Sequence, residues 1–593
     1  MYIIIINSIF CFFKKEKFPF FYILIILLPL GLWGGTTYFH PDNLLKFSQA
    51  AILNNGNPGH FNYPAFVIYA LATVYGILFT GLYTFGFVDS LADYKTLARE
   101  SVISKQPFFI DFELFGHFLI LSFSFLALFS VYKIVLRITH SRLASGLSSL
   151  LLSVSPLWVA DSHMLTTDIP CAAMAVATVA LIIRFEKSNI TIPRLLIIGA
   201  LVGVSAACKY NVGIVIFAAF ALLYIKKVSL RLFITQSIIV GSFSLFIFFL
   251  INPYLILEYE TVIKNFSSLM NSAANGTIGL HEQSPYQYHF FNSLRFGVGT
   301  VPLILILFGI IFFIFSKQYS SCTKIVLLCF PVLYFYKMGN VHMAANRYML
   351  PILPFLCVFF GVFIQFIKQK FFSKLTHFNS AIAIFFLTAI VIYSPLKKSL
   401  YHNLLLSRED SRQHLASLLT TNEEMFVNKL SLRERYSHVL KRDLLLVRPD
   451  DIKFPSENSF SVLTKDKNFE YDYLVVDSFS LSPLLDNRYE NHMVDLHNQY
   501  LESIQDFIIK SKTLIIINPY KRKSPKINHI SKARFSPYHP DLFSRNLPGP
   551  YIEVYTRENF RNANLSLNNV TSLTSPEEGI FYKKLEDKFR NFD

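Results

Sequence analysis

Phe18-Pro19-Phe20-Phe21-Tyr22-Ile23-Leu24-Ile25-Ile26-Leu27-Leu28-Pro29-Leu30-Gly31-Leu32-Trp33 is an uncharged apolar run, and Tyr38-Phe39-His40-Pro41-Asp42-Asn43 follows it almost at once. A spanning helix needs roughly 20 apolar residues, so Phe18–Gly35 reads as a membrane span. Where such a helix leaves the lipid, its side chains meet water while the tail of a lipid lies beside them. A carboxylate, an imidazole and a helix-breaking proline at that point suit chemistry on the polar head of a lipid. Asp42 is the candidate general base of that chemistry. Locally, the commoner use of an aspartate here is to cap the helix that begins near Leu44.

Composition agrees with a membrane protein. Of 593 residues, 53% are hydrophobic and only 16% charged, with 61 Phe, and mean hydropathy is +0.41. The length allows more than one domain. A net charge of +16 would suggest nucleic acid in a soluble chain. Here it reads as basic cytoplasmic loops facing anionic headgroups, and no nucleic-acid partner is expected. Cys11, Cys171, Cys208, Cys322, Cys329 and Cys357 all lie in or beside apolar runs without metal-ligand spacing, so they read as packing residues. Lys14-Lys15-Glu16-Lys17 precedes the first apolar run and no small-residue cleavage site follows. The segment therefore reads as a retained anchor.

Further spans are expected at Leu114–Leu136, Leu143–Val159, Ile169–Phe185, Leu195–Ala207, Val212–Ile225, Leu232–Ile251, Val298–Phe315, Ile325–Tyr336, Met349–Ile367 and Ala381–Tyr393. With the N-terminus inside, about 11 transmembrane helices put every basic cluster on one side. These clusters are Lys14/Lys15/Lys17, Lys133/Arg137/Arg142, Arg184/Lys187/Arg194, Lys226/Lys227/Arg231, Lys317/Lys324 and Lys368/Lys370/Lys374. Pro64–Phe87 is apolar enough to span. Counting it would put Arg137 and Arg142 outside, so parity assigns it to the first outer loop, on or dipping into the membrane.

The expected organisation is a polytopic α-helical membrane domain, 1–395, with a first outer loop at about 38–112, and a soluble extracytoplasmic α/β domain, 396–593. In the latter, Arg408-Glu409-Asp410-Ser411-Arg412-Gln413-His414-Leu415 begins a helix. Tyr473–Asp477 and Leu514–Ile517 read as buried strands, and Tyr551-Ile552-Glu553-Val554-Tyr555 alternates like a half-exposed one. No Gly-rich phosphate loop is present, which argues against a nucleotide-driven transporter.

This topology gathers the costly polar residues at one membrane face: His40, Asp42 and Asn43; Asp161 to Pro170; the tight turn Lys209-Tyr210-Asn211; Asn252 to Arg295, with Tyr286, Tyr288 and His289; and His342, Asn346 and Arg347. Asp168 opens a span, where capping is the commoner role. A second carboxylate facing Asp42 is also suited to orienting an acceptor or holding a divalent cation. His163 can join it, although a lone interfacial histidine is more often a hydrogen-bonding residue. Lys209 either snorkels to headgroups or binds phosphate. Arg347 has the same two readings, and its fork fits phosphate better than a point charge does.

Four pieces, in order, resemble the GT-C superfamily, in particular the group containing protein O-mannosyltransferases and the lipid A aminoarabinose transferase. They are Phe39-His40-Pro41-Asp42-Asn43; His163 with Thr167-Asp168-Ile169-Pro170; Lys209-Tyr210-Asn211; and Asn346-Arg347-Tyr348-Met349-Leu350-Pro351-Ile352-Leu353-Pro354. Glu409-Asp410-Ser411-Arg412 and Tyr471-Asp472-Tyr473-Leu474-Val475-Val476 are similar to outer domains of bacterial members. The resemblance implies an inverting hexosyl- or pentosyltransferase that uses a polyprenyl-phosphate sugar and a lipid, glycan or protein acceptor. It would be a multi-pass protein of the cytoplasmic (inner) membrane, acting on its outer face.

By the same resemblance Asp42 and Asp168 are the catalytic carboxylates, and Lys209 and Arg347 face the donor phosphate. His40, Asn43, His163 and Tyr210 complete the substrate-binding set. The family often has Asp-Glu where this chain has Asp42-Asn43, so Asn43 can hydrogen-bond a substrate but cannot be a second base. No cofactor is called for by any motif; a divalent cation stays open. The other classes weighed are a transporter or flippase of lipid-linked sugars and a non-catalytic scaffold derived from a transferase.

Overall fold

The computed structural model describes residues 31, 44–94, 112–226, 229–275, 284–372, 377–409, 411, 414–415, 430–431, 473–478, 502, 505, 508–521, 542–556, 570–573, 575–583 and 586. The expected first span, apart from Gly31, and His40, Asp42 and Asn43 lie outside the described residues.

The chain is mostly helical. After α1 (Leu45–Leu53) come α2 (Phe66–Thr84), α3 (Phe112–Thr139), α4 (Arg142–Val154), α5 (Pro156–Ser162), α6 (Asp168–Phe185) and α7 (Ile192–Cys208). A 3-10 turn at Tyr210–Val215 leads into α8 (Ile216–Ile225) and α9 (Leu230–Ile251). Then follow α10 (Tyr259–Asn275), α11 (Thr300–Phe315), α12 (Ser321–Gly339), α13 (Leu353–Phe371) and α14 (His377–Leu406). Among the described residues six helical stretches are long and apolar enough to cross a membrane, or up to eight if two bent pairs each count as one span.

The bent pairs correct the simpler expectation of straight spans. Leu143–Val159 is broken at Ser155, which is extended (φ −63°, ψ 125°), and α4 and α5 meet at 60°. Pro156 explains the break: without an N–H it starts a helix well and cannot continue one. Val298–Phe315 is broken at Gly299, whose φ of +99° is open to glycine and costly for other residues. The helical stretch Pro285–Val298 meets α11 there at 108°. The turn expected at Lys209–Asn211 is tighter than a loop, because the 3-10 segment starts at Tyr210. α2 forms one continuous 19-residue helix, long and apolar enough to span; its placement in the outer loop rests on charge parity alone.

α13 lies at the centre: 83% of the most apolar part of Asn346–Phe371 is buried, against only 17% for α9. The exposed side of α9 carries Leu245, Phe246 and Leu250, a lipid-facing surface. α7 packs closely on α9 through Gly199-Ala200-Leu201-Val202-Gly203. A Cβ on Gly199 would stand 2.9 Å from the Val240 carbonyl oxygen, and one on Gly203 would stand 2.6 Å from that of Ser244. Small residues four apart let helices approach where lipid offers no hydrophobic drive for association.

The two ends of the bundle differ. At one, Arg137 donates to the Arg184 carbonyl (3.1 Å), Lys226 donates to that of Ser188, and Glu186 accepts from Thr323 Oγ1 (2.7 Å) and Ser320 Oγ. Four of the basic loops meet here. Asp168, Lys209 and Arg347, singled out by the motifs, lie at the opposite helix ends.

α14 continues unbroken past Ser394 to Leu406. Beyond it is a small sheet, in the order β1-β2-β4-β3-β5, of β1 (Leu430–Ser431), β2 (Tyr473–Asp477), β3 (Thr513–Ile517), β4 (Ile552–Thr556) and β5 (Val570–Leu573). β1 is parallel to β2 and the other pairings are antiparallel. The expectation that residues 551–555 are half exposed is overturned. β4 is flanked by β2 and β3, and Glu553 is wholly buried. Its carboxylate accepts from Tyr551 Oη (3.0 Å), Tyr555 Oη and the Ile580 (2.7 Å) and Phe581 (3.3 Å) N–H groups. Burial pushes its pKa up, against the pull of these donors. The loop before β4 docks on α14: Tyr401 Oη donates to the Arg545 carbonyl (2.9 Å) and Arg408 Nη1 to that of Asn546 (2.7 Å).

Candidate active site

Asp168 is the first residue of α6, and its side chain is 4% exposed. Negative charge is favoured there by the helix dipole. Lys209 ends α7 in an extended conformation (φ −160°, ψ 124°), which turns its side chain out of the helical path. Arg347 lies in the 3-10 segment Asn346–Ile352 that leads into α13, and Pro351 and Pro354 mark that entry. Three elements distant in sequence thus converge. Lys209 Nζ donates to Asp168 Oδ1 at 2.5 Å, and Arg347 Nε lies 3.7 Å from Asp168 Oδ2. Both cations also lie over the Tyr348 ring, at 5.1 Å for Lys209 and 5.6 Å for Arg347.

Lys209 and Arg347 are only 13% and 17% exposed. Two cations around one carboxylate at a helix N-terminus form a setting for an anion. Charge-assisted contacts are strong here because little water screens them. The Lys209 ammonium is held by a carboxylate rather than extended to lipid.

The loops at this end of the bundle are tied together around this cluster. The Leu44 N–H donates to the Leu165 carbonyl at 2.8 Å, which joins the first loop to the second. Tyr210 Oη donates to the Phe61 carbonyl at 3.0 Å, which joins the first to the third, and its ring lies 4.8 Å from that of Phe266 on α10. Asn211 Nδ2 donates to Tyr334 Oη (3.2 Å). The Tyr210 hydroxyl is therefore occupied by backbone. His163 is also drawn elsewhere: it is buried, and its Nε2–H donates to Asn403 Oδ1 at 3.0 Å.

Among the described residues the Asp168 oxygens face Lys209 and Arg347, and no three ligating side chains gather there.

Sequence reasoning missed Tyr348, although it adjoins Arg347 in a quoted motif. It named His289 and Asn346 but not Ser293, which links them: His289 Nδ1···Ser293 Oγ is 3.0 Å, and Ser293 Oγ donates to Asn346 Oδ1 (3.1 Å), beside Arg347. His289 opens a π-helical segment, His289–Leu294, a distortion that often marks functional sites. Nothing in the sequence signalled Asn403.

Residues 116–257 match the family described as dolichyl-phosphate-mannose-protein mannosyltransferase. The matched segment contains His163, Asp168, Lys209 and Tyr210, in agreement with the GT-C glycosyltransferase resemblance read from the motifs. Curated proteins give no match. Among solved structures, ArnT from Cupriavidus metallidurans bound to undecaprenyl phosphate is 12% identical with a TM-score of 0.45, covering 71% of this chain and 84% of that one. The Archaeoglobus fulgidus oligosaccharyltransferase tethered with an acceptor peptide is 12% identical with a TM-score of 0.47, covering 86% and 74%.

Proposed function

We propose that this chain is a GT-C membrane glycosyltransferase that moves one sugar, a hexose or pentose, from a polyprenyl-phosphate donor to a lipid, glycan or protein acceptor. The reaction takes place at the outer face of the cytoplasmic membrane. The observation that carries the reading is the convergence of Lys209 and Arg347 on Asp168 over Tyr348, inside or beside the matched family segment.

In this reading an acceptor hydroxyl attacks the anomeric carbon while the bond from that carbon to the phosphate oxygen breaks. The electron pair leaves with the phosphate, whose growing charge meets Lys209 and Arg347. Asp42 takes the acceptor proton. Sequence order supports that role: Asp42 is two residues before Leu44, whose N–H donates to the Leu165 carbonyl. Asp168, held by two cations, orients them rather than acting as a second base. His40 and Asn43 complete the substrate side.

The test is transfer of label from radiolabelled polyprenyl-phosphate sugars to membrane extract by the purified protein. Wild type is expected to transfer, and Asp42→Asn to insert and fold normally but lose transfer. A fully active Asp42→Asn protein would sink the assignment of the base.

A further inference from the structure

We propose that Asn403 and His117 are positioning residues for Asp168: they clamp the turn 163–168 at its first residue and so set where the carboxylate meets Lys209 and Arg347. The inference rests on the transferase reading of that site.

The clamp acts on both parts of His163. Its ring Nε2–H donates to Asn403 Oδ1 on α14 at 3.0 Å. Its carbonyl accepts from His117 Nε2–H on α3 at 2.8 Å. All three residues are buried, Asn403 completely. These partners come from 240 and 46 residues away, so the pin exists only in the folded bundle. Farther along the turn, Leu165 accepts from Leu44, and the Asp168 N–H donates to Thr166 Oγ1 at 3.4 Å. The turn is thus pinned at its start and guided to its end at Asp168.

The side of α14 that pins His163 is itself fixed, since Ser399 Oγ donates to the Val154 carbonyl at 2.8 Å. Farther along the same helix and just beyond it, Tyr401 and Arg408 hold the loop before β4. One rigid rod therefore anchors both the C-terminal domain and the turn bearing Asp168. Loss of the Asn403 acceptor leaves a buried N–H unpaired, which favours local opening of the turn by about tenfold.

The experiment compares the full chain in nanodiscs as wild type, Asn403→Leu and His117→Gln. Leucine keeps the volume and loses the acceptor; glutamine keeps an N–H near the imidazole Nε2 position that donates to the His163 carbonyl. Amide hydrogen exchange at 163–168, kcat and KM for transfer, and Tm are measured. Asn403→Leu is expected to speed exchange at 163–168 and lower kcat, each by about tenfold, with KM and Tm little changed, while His117→Gln stays near wild type. Unchanged exchange and kcat in Asn403→Leu would overturn the proposal, as would parallel losses of kcat and Tm in both variants. Faster exchange at 163–168 in Asn403→Leu, with a wild type that transfers no sugar from any donor, would uphold the clamp and count against the transferase reading.

Discussion

At the scale of single residues, the site is an economy of charge. Asp168 is nearly inaccessible and has a lysine at 2.5 Å and an arginine at 3.7 Å. Removing one partner of a buried pair leaves an uncompensated charge, at a cost of about 3–5 kcal/mol. Lys209→Met should therefore lower stability by about that amount and transfer by at least about 100-fold. Adding Asp168→Asn should recover the stability but not the transfer. Thermal unfolding beside a transfer assay separates the two effects, and a double variant with restored transfer would show that neither group meets the donor. Arg347→Lys keeps the charge and loses the fork, so donor KM should rise by about tenfold while kcat changes less. An unchanged KM would point to Arg347 as a partner of Asp168 alone.

At the scale of elements, helix contacts decide which side chains meet. The Gly199–Gly203 face lets α7 lie against α9, and Lys209 is the residue at which α7 ends. Gly203→Val places methyl groups against the Ser244 carbonyl and should cost about 1–3 kcal/mol, read as a lowered Tm. Gly241→Val, on α9, is the matched control: a Cβ there would meet nothing within 4 Å, so the change should cost much less. Equal effects would mean that helix propensity, not close packing, sets the outcome. The breaks at Ser155–Pro156 and Gly299 belong to the same scale. Hydropathy reads Leu143–Val159 as a single span, because it records apolar content and is blind to a change of direction; at the other break it starts the span at Val298, one residue before Gly299.

At the scale of the whole molecule, the bundle separates charge by end. The loops bearing Arg137, Arg184 and Lys226 interlock at one end, and Asp168, Lys209 and Arg347 gather at the other. The positive-inside rule supports the proposed orientation, with the site and the C-terminal domain facing out. The five described cysteines are buried or half-buried, so with Cys11→Ser in place a surface cysteine can report topology against a low background. Lys521→Cys in the C-terminal domain should react with a membrane-impermeant maleimide in intact cells, and Lys187→Cys should react only after permeabilisation. The reverse pattern would invert the proposed orientation.

The amino-acid order alone was enough to mark a multi-span membrane protein and to single out Asp168, Lys209 and Arg347, which the fold brings to one end of the bundle. Apolar run length, basic loops and the Asp168, Lys209 and Arg347 motifs are local features, and the physics behind each acts over a few residues. Continuous apolar character also located the strands at 473–477 and 513–517. Residues 551–555 were misread, because alternation marks a half-exposed strand only when no partner covers the polar face; here four donors satisfy Glu553 inside the sheet. It took the folded bundle to reveal that Lys209 is held by Asp168, that Tyr348 lies beneath both cations, and that His163 turns to Asn403. Those pairings join residues far apart in the chain, and no local propensity encodes a contact whose two halves meet only when the bundle closes.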